Sequence, residues 1–246
     1  MTKVMKRVIS SLFALALLYC LSFTVSCQGT APEAEAGTSR VEKILEHLHN
    51  PQSKYVIVVS HRGDWRNYPE NSIPAIESVI RMGADMVELD IAMTKDSVLI
   101  LSHDRTLDRC TTGKGRISEI TYDSLQSFSL KSAHGGHFGY ELKIPTLREA
   151  LEVCKDRIMI NIDKGYDYYD QVLALTEELG VTNQILIKGG MPLSDVNKKM
   201  AAHKNNLLYM PIVTPASKSQ QPMFEEYLAG EPQLAYEICW SEMTPV

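Results

Sequence analysis

The chain lacks a basic excess, a disulfide framework, an internal repeat, and any long apolar run beyond its first 25 residues. Each absence excludes something. With 25 basic against 30 acidic residues the net charge is -5, so nothing in the charge balance suggests a nucleic-acid binder, which normally carries a basic face. Beyond Cys27 only Cys110, Cys154 and Cys239 remain. That odd number gives no disulfide scaffold, and none of the three has metal-ligand spacing. The apolar share of 44% is that of a globular protein and excludes a disordered chain.

The N-terminus reads as a targeting segment. Lys3, Lys6 and Arg7 precede an apolar run of about 16 residues from Val8 to Phe23, followed by small residues and Cys27. Charged start, short apolar middle and small-residue end form a secretory signal peptide, and the run falls short of the roughly 20 residues that span a bilayer. Thr24-Val25-Ser26-Cys27 resembles a bacterial lipobox with Thr24 in the usual Leu position, so lipidation at Cys27 is expected, with an ordinary signal peptide as the alternative. Residues 28–53 then supply a polar tether and a leading helix. The expected location is the periplasm or cell envelope.

From residue 54 to 246 short β-rich runs alternate with helical patterns. Strands are expected at Tyr55–Ser60, Met86–Ala92, Val98–Ser102, Ile158–Ile162, Ile185–Lys188, Leu207–Ile212 and Ala235–Cys239. Helices are expected at Ser72–Met82, Leu147–Lys155, Tyr169–Leu179, Leu193–Ala202 and Met223–Ala229. Alternation of this kind builds a parallel sheet with helical crossovers, and a chain of this size suits an α/β fold of the TIM (β/α)8 barrel type. Only seven strands are found, and the chain stops six residues after Trp240. The expectation is therefore a barrel without its last strand in this chain, with a small insertion at about 105–145 after the third strand.

In such a barrel the chemistry lies at the C-terminal ends of the strands. Those ends carry His61 and Arg62, then Glu88 and Asp90, then His103, then Asp163 and Lys164. Glu88 and Asp90 are two apart and share one face of their strand, while Val87, Leu89 and Ile91 take the other. Converging carboxylates raise one another's pKa and are costly to bury uncompensated, which a hard divalent cation, Ca²⁺ or Mg²⁺, resolves with oxygen ligands. Two histidines beside it suit acid–base work, and Arg62 and Lys164 suit a phosphate. Taken singly each residue also has a structural use, as a strand-end histidine or a surface ion pair. The Thr111–Gly115 stretch TTGKG lacks the spacing of a phosphate loop and reads as a turn. His47, His49, His134, His137 and His203 receive no role.

The stretches HRGDWRNYPENS (61–72), VELDIAMTKDSVLILSHD (87–104) and INIDKG (160–165) resemble the glycerophosphodiester phosphodiesterase family over roughly residues 54–240. The resemblance implies a barrel enzyme with His61 and His103 as the catalytic pair and Glu88, Asp90 and Asp163 as metal ligands. Asp163 stands where the family often has Glu. It further implies that Arg62 and Lys164 contact phosphate, and that Glu70 belongs to the active-site signature, either at the metal or orienting neighbours. The implied reaction is metal-dependent hydrolysis of a glycerophosphodiester to glycerol 3-phosphate and an alcohol, through attack by the neighbouring glycerol hydroxyl and a cyclic phosphate. Two other readings fit the same residues: a phospholipase D-like hydrolysis of lysophospholipids, and a non-catalytic barrel lipoprotein. The partners expected are a small-molecule substrate, no nucleic acid, and a membrane only through the anchor at Cys27.

Overall fold

The computed structural model describes residues 38–131, 141–201 and 207–239, and Ser39 onward forms one compact unit. The targeting run, Cys27, most of the tether, His134, His137, His203 and Trp240 lie outside the described residues.

Six parallel strands make the sheet: β1 (Val59–His61), β2 (Met86–Met93), β4 (Met159–Asp163), β5 (Ile185–Gly189), β6 (Leu208–Val213) and β7 (Glu237–Ile238), in the order β1-β2-β4-β5-β6-β7. β1 and β7 are its two edges among the described residues. This is the expected barrel architecture, left open between those edges. On the free side of β1, Val56, Val58 and Val59 are exposed. The strand expected from Tyr55 is accordingly short: the Val58 carbonyl accepts the Met86 N–H at 3.1 Å, and the paired register begins at Val59.

The remaining strand, β3 (Leu99–Leu101), corrects the expectation for Val98–Ser102. It runs antiparallel to β2, with Ile91 opposite Leu101 and Met93 opposite Leu99. β2 therefore does two jobs. Met86–Asp90 pairs in parallel with β4, and Ile91–Met93 projects past the rim as one arm of a hairpin. The turn is closed by Thr94, whose Oγ1 donates to Asp96 and accepts from the Val98 N–H, with Ser97 in the left-handed region at φ 64°.

The helices start and stop where capping chemistry dictates. α1 (Arg40–His49) opens with a capping box between Ser39 and Glu42. α2 (Ile73–Met82) is capped by Ser72 and ends at Gly83 with φ 86°. A short α3 (Tyr122–Leu125) lies in the insertion. α4 (Leu147–Cys154) has a second capping box, Thr146 with Glu149. α5 (Tyr169–Leu179), α6 (Leu193–Met200) and α7 (Gln221–Ala229) follow, close to the expected spans.

Two apolar layers hold the barrel. On the outer face Val87, Leu89, Ile91, Ile160, Ile162, Ile185 and Ile187 pack on helix residues such as Ile76, Val79, Leu147, Leu151 and Val172. Burying each such side chain contributes about 1.5–3 kcal/mol. On the inner face Met86, Met159 and Leu186, all at the starts of their strands, meet Val41 and Ile44 of α1. α1 thus plugs the N-terminal end of the barrel and leaves the polar inner residues of the other end facing the rim. A third cluster, with Ile100, Leu107, Ile117, Leu125 and Ile144, fastens the insertion to the outer side of β3.

Candidate active site

The inner face of the sheet changes character along each strand. Met86 gives way to Glu88 and Asp90, Met159 to Asn161 and Asp163, and Leu186 to Lys188, because alternate residues share a face. One carboxylate oxygen each from Glu88, Asp90 and Asp163 lies within 4.8 Å of the other two. Glu88 and Asp90 are buried and Asp163 is half-buried. The structure thus brings together the three acids expected from the sequence.

The backbone that carries the flanking cations is strained. Arg62, Asn71 and Lys164 have φ of 57°, 55° and 61°, a region that costs non-glycine residues free energy and that clusters at functional sites. Gly63, at φ 73°, must be glycine: a Cβ there would sit 2.9 Å from the Ala75 Cβ and 3.0 Å from its carbonyl carbon. The turn after β1 is pressed onto the start of α2, which folds the Pro69–Ser72 segment back over the rim. Asn71 then clamps Asp90: its Nδ2 donates to Oδ2 at 2.8 Å, and its Oδ1 accepts the Asp90 N–H at 3.0 Å. Arg62 lies against the same carboxylate, Nε to Oδ2 at 3.2 Å, as an ion pair without hydrogen-bond alignment.

Lys188 was not expected in the site, yet it is its buried cation. Its Nζ lies 3.1 Å from Glu88, 3.5 Å from Asp163 and 2.8 Å from Glu237 of β7. Burial opposes its charge, but the three carboxylates outweigh burial and hold its pKa above the ordinary lysine range. Burial also lifts Glu88 above its usual value, with Lys188 opposing the lift and Asp90 adding to it.

The two histidines flank this cluster. His61 closes β1, with its Nε2 3.9 Å from Glu88 and its side chain 63% exposed. His103 reaches the rim by a route the sequence reading did not foresee. It does not end a barrel strand. Instead the hairpin returns it: the Ser102 N–H donates to the Asp90 carbonyl at 3.0 Å, and Lys164 Nζ donates to the His103 carbonyl at 2.7 Å. Lys164 also stands 3.8 Å from Asp90 and 3.9 Å from Asp163. Its present partners are therefore carboxylates and a carbonyl at the rim.

Behind His103, Nδ1 is 2.7 Å from Asp104 Oδ1. Asp104 and Glu70 are both gripped by Arg109. Hydrogen bonds from Arg109 hold the Asp104 carboxyl well below the usual carboxylate range. Burial pushes Glu70 up, but hydrogen bonds and charge from Arg109, aided by Arg62, bring it below its ordinary value. Glu70 pairs with Arg62 at 3.1 Å and with Arg109 at 2.8 Å.

The donor set fits a hard divalent cation. Oxygens bound to one ion at roughly 2.0–2.6 Å lie at most about 5 Å apart, and Glu88, Asp90 and Asp163 meet that limit. Asp163 meets it although it is one methylene shorter than Glu.

Residues 61–206 match the model of the glycerophosphoryl diester phosphodiesterase family. A glycerophosphodiester phosphodiesterase of Caldanaerobacter subterraneus subsp. tengcongensis is 36% identical over 163 residues, covering 62% of this chain and 66% of that protein. Human glycerophosphodiester phosphodiesterase 1 is 38% identical over 100 residues, covering 40% of this chain and 30% of that protein. The chain thus spans from under a third to just under two thirds of the length of these relatives. Among solved structures, the glycerophosphodiester phosphodiesterase of Thermotoga maritima superposes with a TM-score of 0.52 at 26% identity, over 70% of each chain. An Oleispira antarctica phosphodiesterase, solved with the product sn-glycerol-3-phosphate, superposes with a TM-score of 0.57 at 21% identity, over 69% of this chain and 71% of that one. The matched stretch holds both histidines, the three acids, Arg62, Glu70 and Lys164, and the chain belongs to the glycerophosphoryl diester phosphodiesterase family.

Proposed function

We propose that this chain hydrolyses glycerophosphodiesters to glycerol 3-phosphate and an alcohol, with a divalent cation, Ca²⁺ or Mg²⁺, at Glu88, Asp90 and Asp163. The observation that carries the proposal is the triad itself: three carboxylates sharing a space of 4.8 Å at a barrel rim, with His61 3.9 Å from Glu88 and the His103 carbonyl held by Lys164 at the same rim. When bound there, the cation would offset negative charge on the phosphate oxygens as it builds in the transition state.

The chain's own groups do the rest. Arg62 and Lys164 lie at the same rim, and a phosphate arriving there meets both cations. One histidine takes the proton from the glycerol hydroxyl that attacks phosphorus, and the other gives a proton to the departing alkoxide. Water then opens the cyclic phosphate with the two roles exchanged. His103 enters this cycle with Nδ1 occupied by Asp104, which leaves Nε2 for the substrate. Support for the substrate class comes from family membership and from the product seen in the Oleispira antarctica enzyme.

The test is release of glycerol 3-phosphate from glycerophosphocholine, with and without EDTA. Turnover abolished by EDTA, restored by Ca²⁺ or Mg²⁺, and lowered by about 10²-fold or more in His61→Ala and His103→Ala supports the whole reading. Turnover that survives EDTA removes the cation from it. Turnover that survives His61→Ala removes the histidine pair.

A further inference from the structure

Arg109 stands in the segment after β3, and nothing about its place in the sequence marks it as part of the site. Its guanidinium nevertheless makes two forks at once. Nη1 and Nη2 donate to the two oxygens of Glu70 at 2.8 and 2.8 Å. Nε and Nη2 donate to the two oxygens of Asp104 at 2.8 and 3.0 Å. Asp104 Oδ1 is also the partner of His103 Nδ1 at 2.7 Å, and Glu70 Oε1 accepts from Arg62 Nη1 at 3.1 Å. A single side chain thus ties the carboxylate that holds His103 to the carboxylate that holds Arg62.

We propose that Arg109 is a positioning residue, which locks Asp104 and through it fixes the tautomer and the aim of the His103 ring. This rests on the reading of His103 as a proton-transfer group. An aspartate beside a histidine swivels about two side-chain bonds unless its second oxygen is held. Here both oxygens are held by one planar group, a geometry that a lysine ammonium lacks. An ionised carboxylate only accepts hydrogen bonds, so His103 Nδ1 must be the donor, and in the neutral ring Nε2 then carries the lone pair. Hydrogen bonding from Arg109 keeps Asp104 ionised. The His103 carbonyl is pinned separately by Lys164. The charged groups that meet His103 are therefore Asp104, backed by Arg109, from its own segment, and Lys164 from the end of β4.

A purely structural Arg109 would fasten the insertion to the barrel and change stability alone. Histidine-selective ¹⁵N labelling of the full chain separates the two roles, because it reads the ring nitrogens without any turnover. The wild type should show neutral His103 protonated at Nδ1. Arg109→Lys should give a mixture of tautomers and lower kcat by about 10- to 100-fold, with KM for glycerophosphocholine within about twofold. Asp104→Asn should reproduce both changes. If Arg109→Ala fails to fold, Arg109→Lys decides. If Arg109→Lys keeps the wild-type tautomer and kcat, or fails to fold itself, the positioning role is overturned. If the wild type turns over no glycerophosphodiester, the functional reading fails, and the tautomer comparison still decides whether Arg109 fixes the ring.

Discussion

Lys188→Met is the substitution whose consequences are most sharply set by this structure. Methionine keeps the length of the side chain and removes its charge. The lost partner stands 3.1 Å from Glu88, 3.5 Å from Asp163 and 2.8 Å from Glu237, and the lysine side chain is 6% exposed. At an effective dielectric of about 20, each such pair has a gross attraction of roughly 5 kcal/mol. Most of that is cancelled by the cost of drying the charges. The net loss when one partner of a buried pair is removed is about 3–5 kcal/mol, a large part of the 5–15 kcal/mol that holds a typical domain together. Without Lys188 the upward push of burial on Glu88 is opposed only by weaker neighbours, the Arg62 N–H at 3.1 Å and His61 at 3.9 Å among them. A divalent cation at the triad would fill the same electrostatic role. In the wild type it must share Glu88 and Asp163 with the ammonium, and in Lys188→Met it need not. The variant should therefore unfold at lower urea than wild type in EDTA, by the equivalent of about 3 kcal/mol or more. It should recover about 2.7 kcal/mol at a cation concentration 100 times its Kd. Isothermal titration should show tighter cation binding than in the wild type. Lys188→Met as stable as wild type in EDTA, or binding Mg²⁺ and Ca²⁺ more weakly, would refute the reasoning.

Two further outcomes follow from other buried groups. Glu70 has its folded pKa depressed, so the stability it contributes is present above the ordinary carboxylate value of about 4.3 and is lost as pH falls through the folded value. Glu70→Gln should accordingly flatten the fall in urea midpoint below about pH 4, and an unchanged acid limb would contradict the ion-pair network. Cys154 is fully buried in the outer core, and burial pushes its thiol from its usual range up to about 12. Its neutral form stabilises the fold fully below about pH 9, and that contribution is lost as pH rises toward about 12. At pH 8, iodoacetamide should therefore label Cys154 no faster than the protein unfolds. Faster labelling, resolved by mass spectrometry, would show that the core opens locally.

The acids of the site were legible because strand periodicity is a strong constraint. Glu88 and Asp90 lie two apart in a strand whose intervening residues are all large and apolar, so they had to share the inner face. His103 was legible as a residue but not by its route. Val98–Ser102 has the composition of a buried parallel strand, yet only five residues, Met93 to Ser97, separate it from Ala92. A parallel return needs a connection of a dozen or more residues. The polar turn with Asp96 and Ser97 was the available signal for a hairpin. Lys188 carried a signal too: it shares a strand face with Leu186, and a lysine there must find carboxylates. Asn71 with Asp90 and Arg109 with Glu70 carried none, because these contacts join residues 19 and 39 positions apart and no local spacing pattern announces them.

The hairpin that misled the sequence reading is also what makes the site's geometry possible. A histidine at the end of a parallel strand would sit one strand further round the barrel, separated from Asp90 by the ladder spacing of about 4.8 Å per strand. The antiparallel return instead hydrogen-bonds Ser102 to Asp90 itself, placing His103 beside the strand that carries two of the three acids. The same hairpin starts the insertion, so Asp104 and Arg109 leave it already on the rim, within reach of Glu70 on the loop before α2. An extra turn of polar residues between Thr94 and Val98 would shift the register of β3 by changing which residue faces Asp90. A one-residue shift sends alternate side chains to opposite faces. His103, Asp104 and the Arg109 forks would then be lost together, while Glu88, Asp90 and Asp163, set by the β2–β4 ladder, would keep their places.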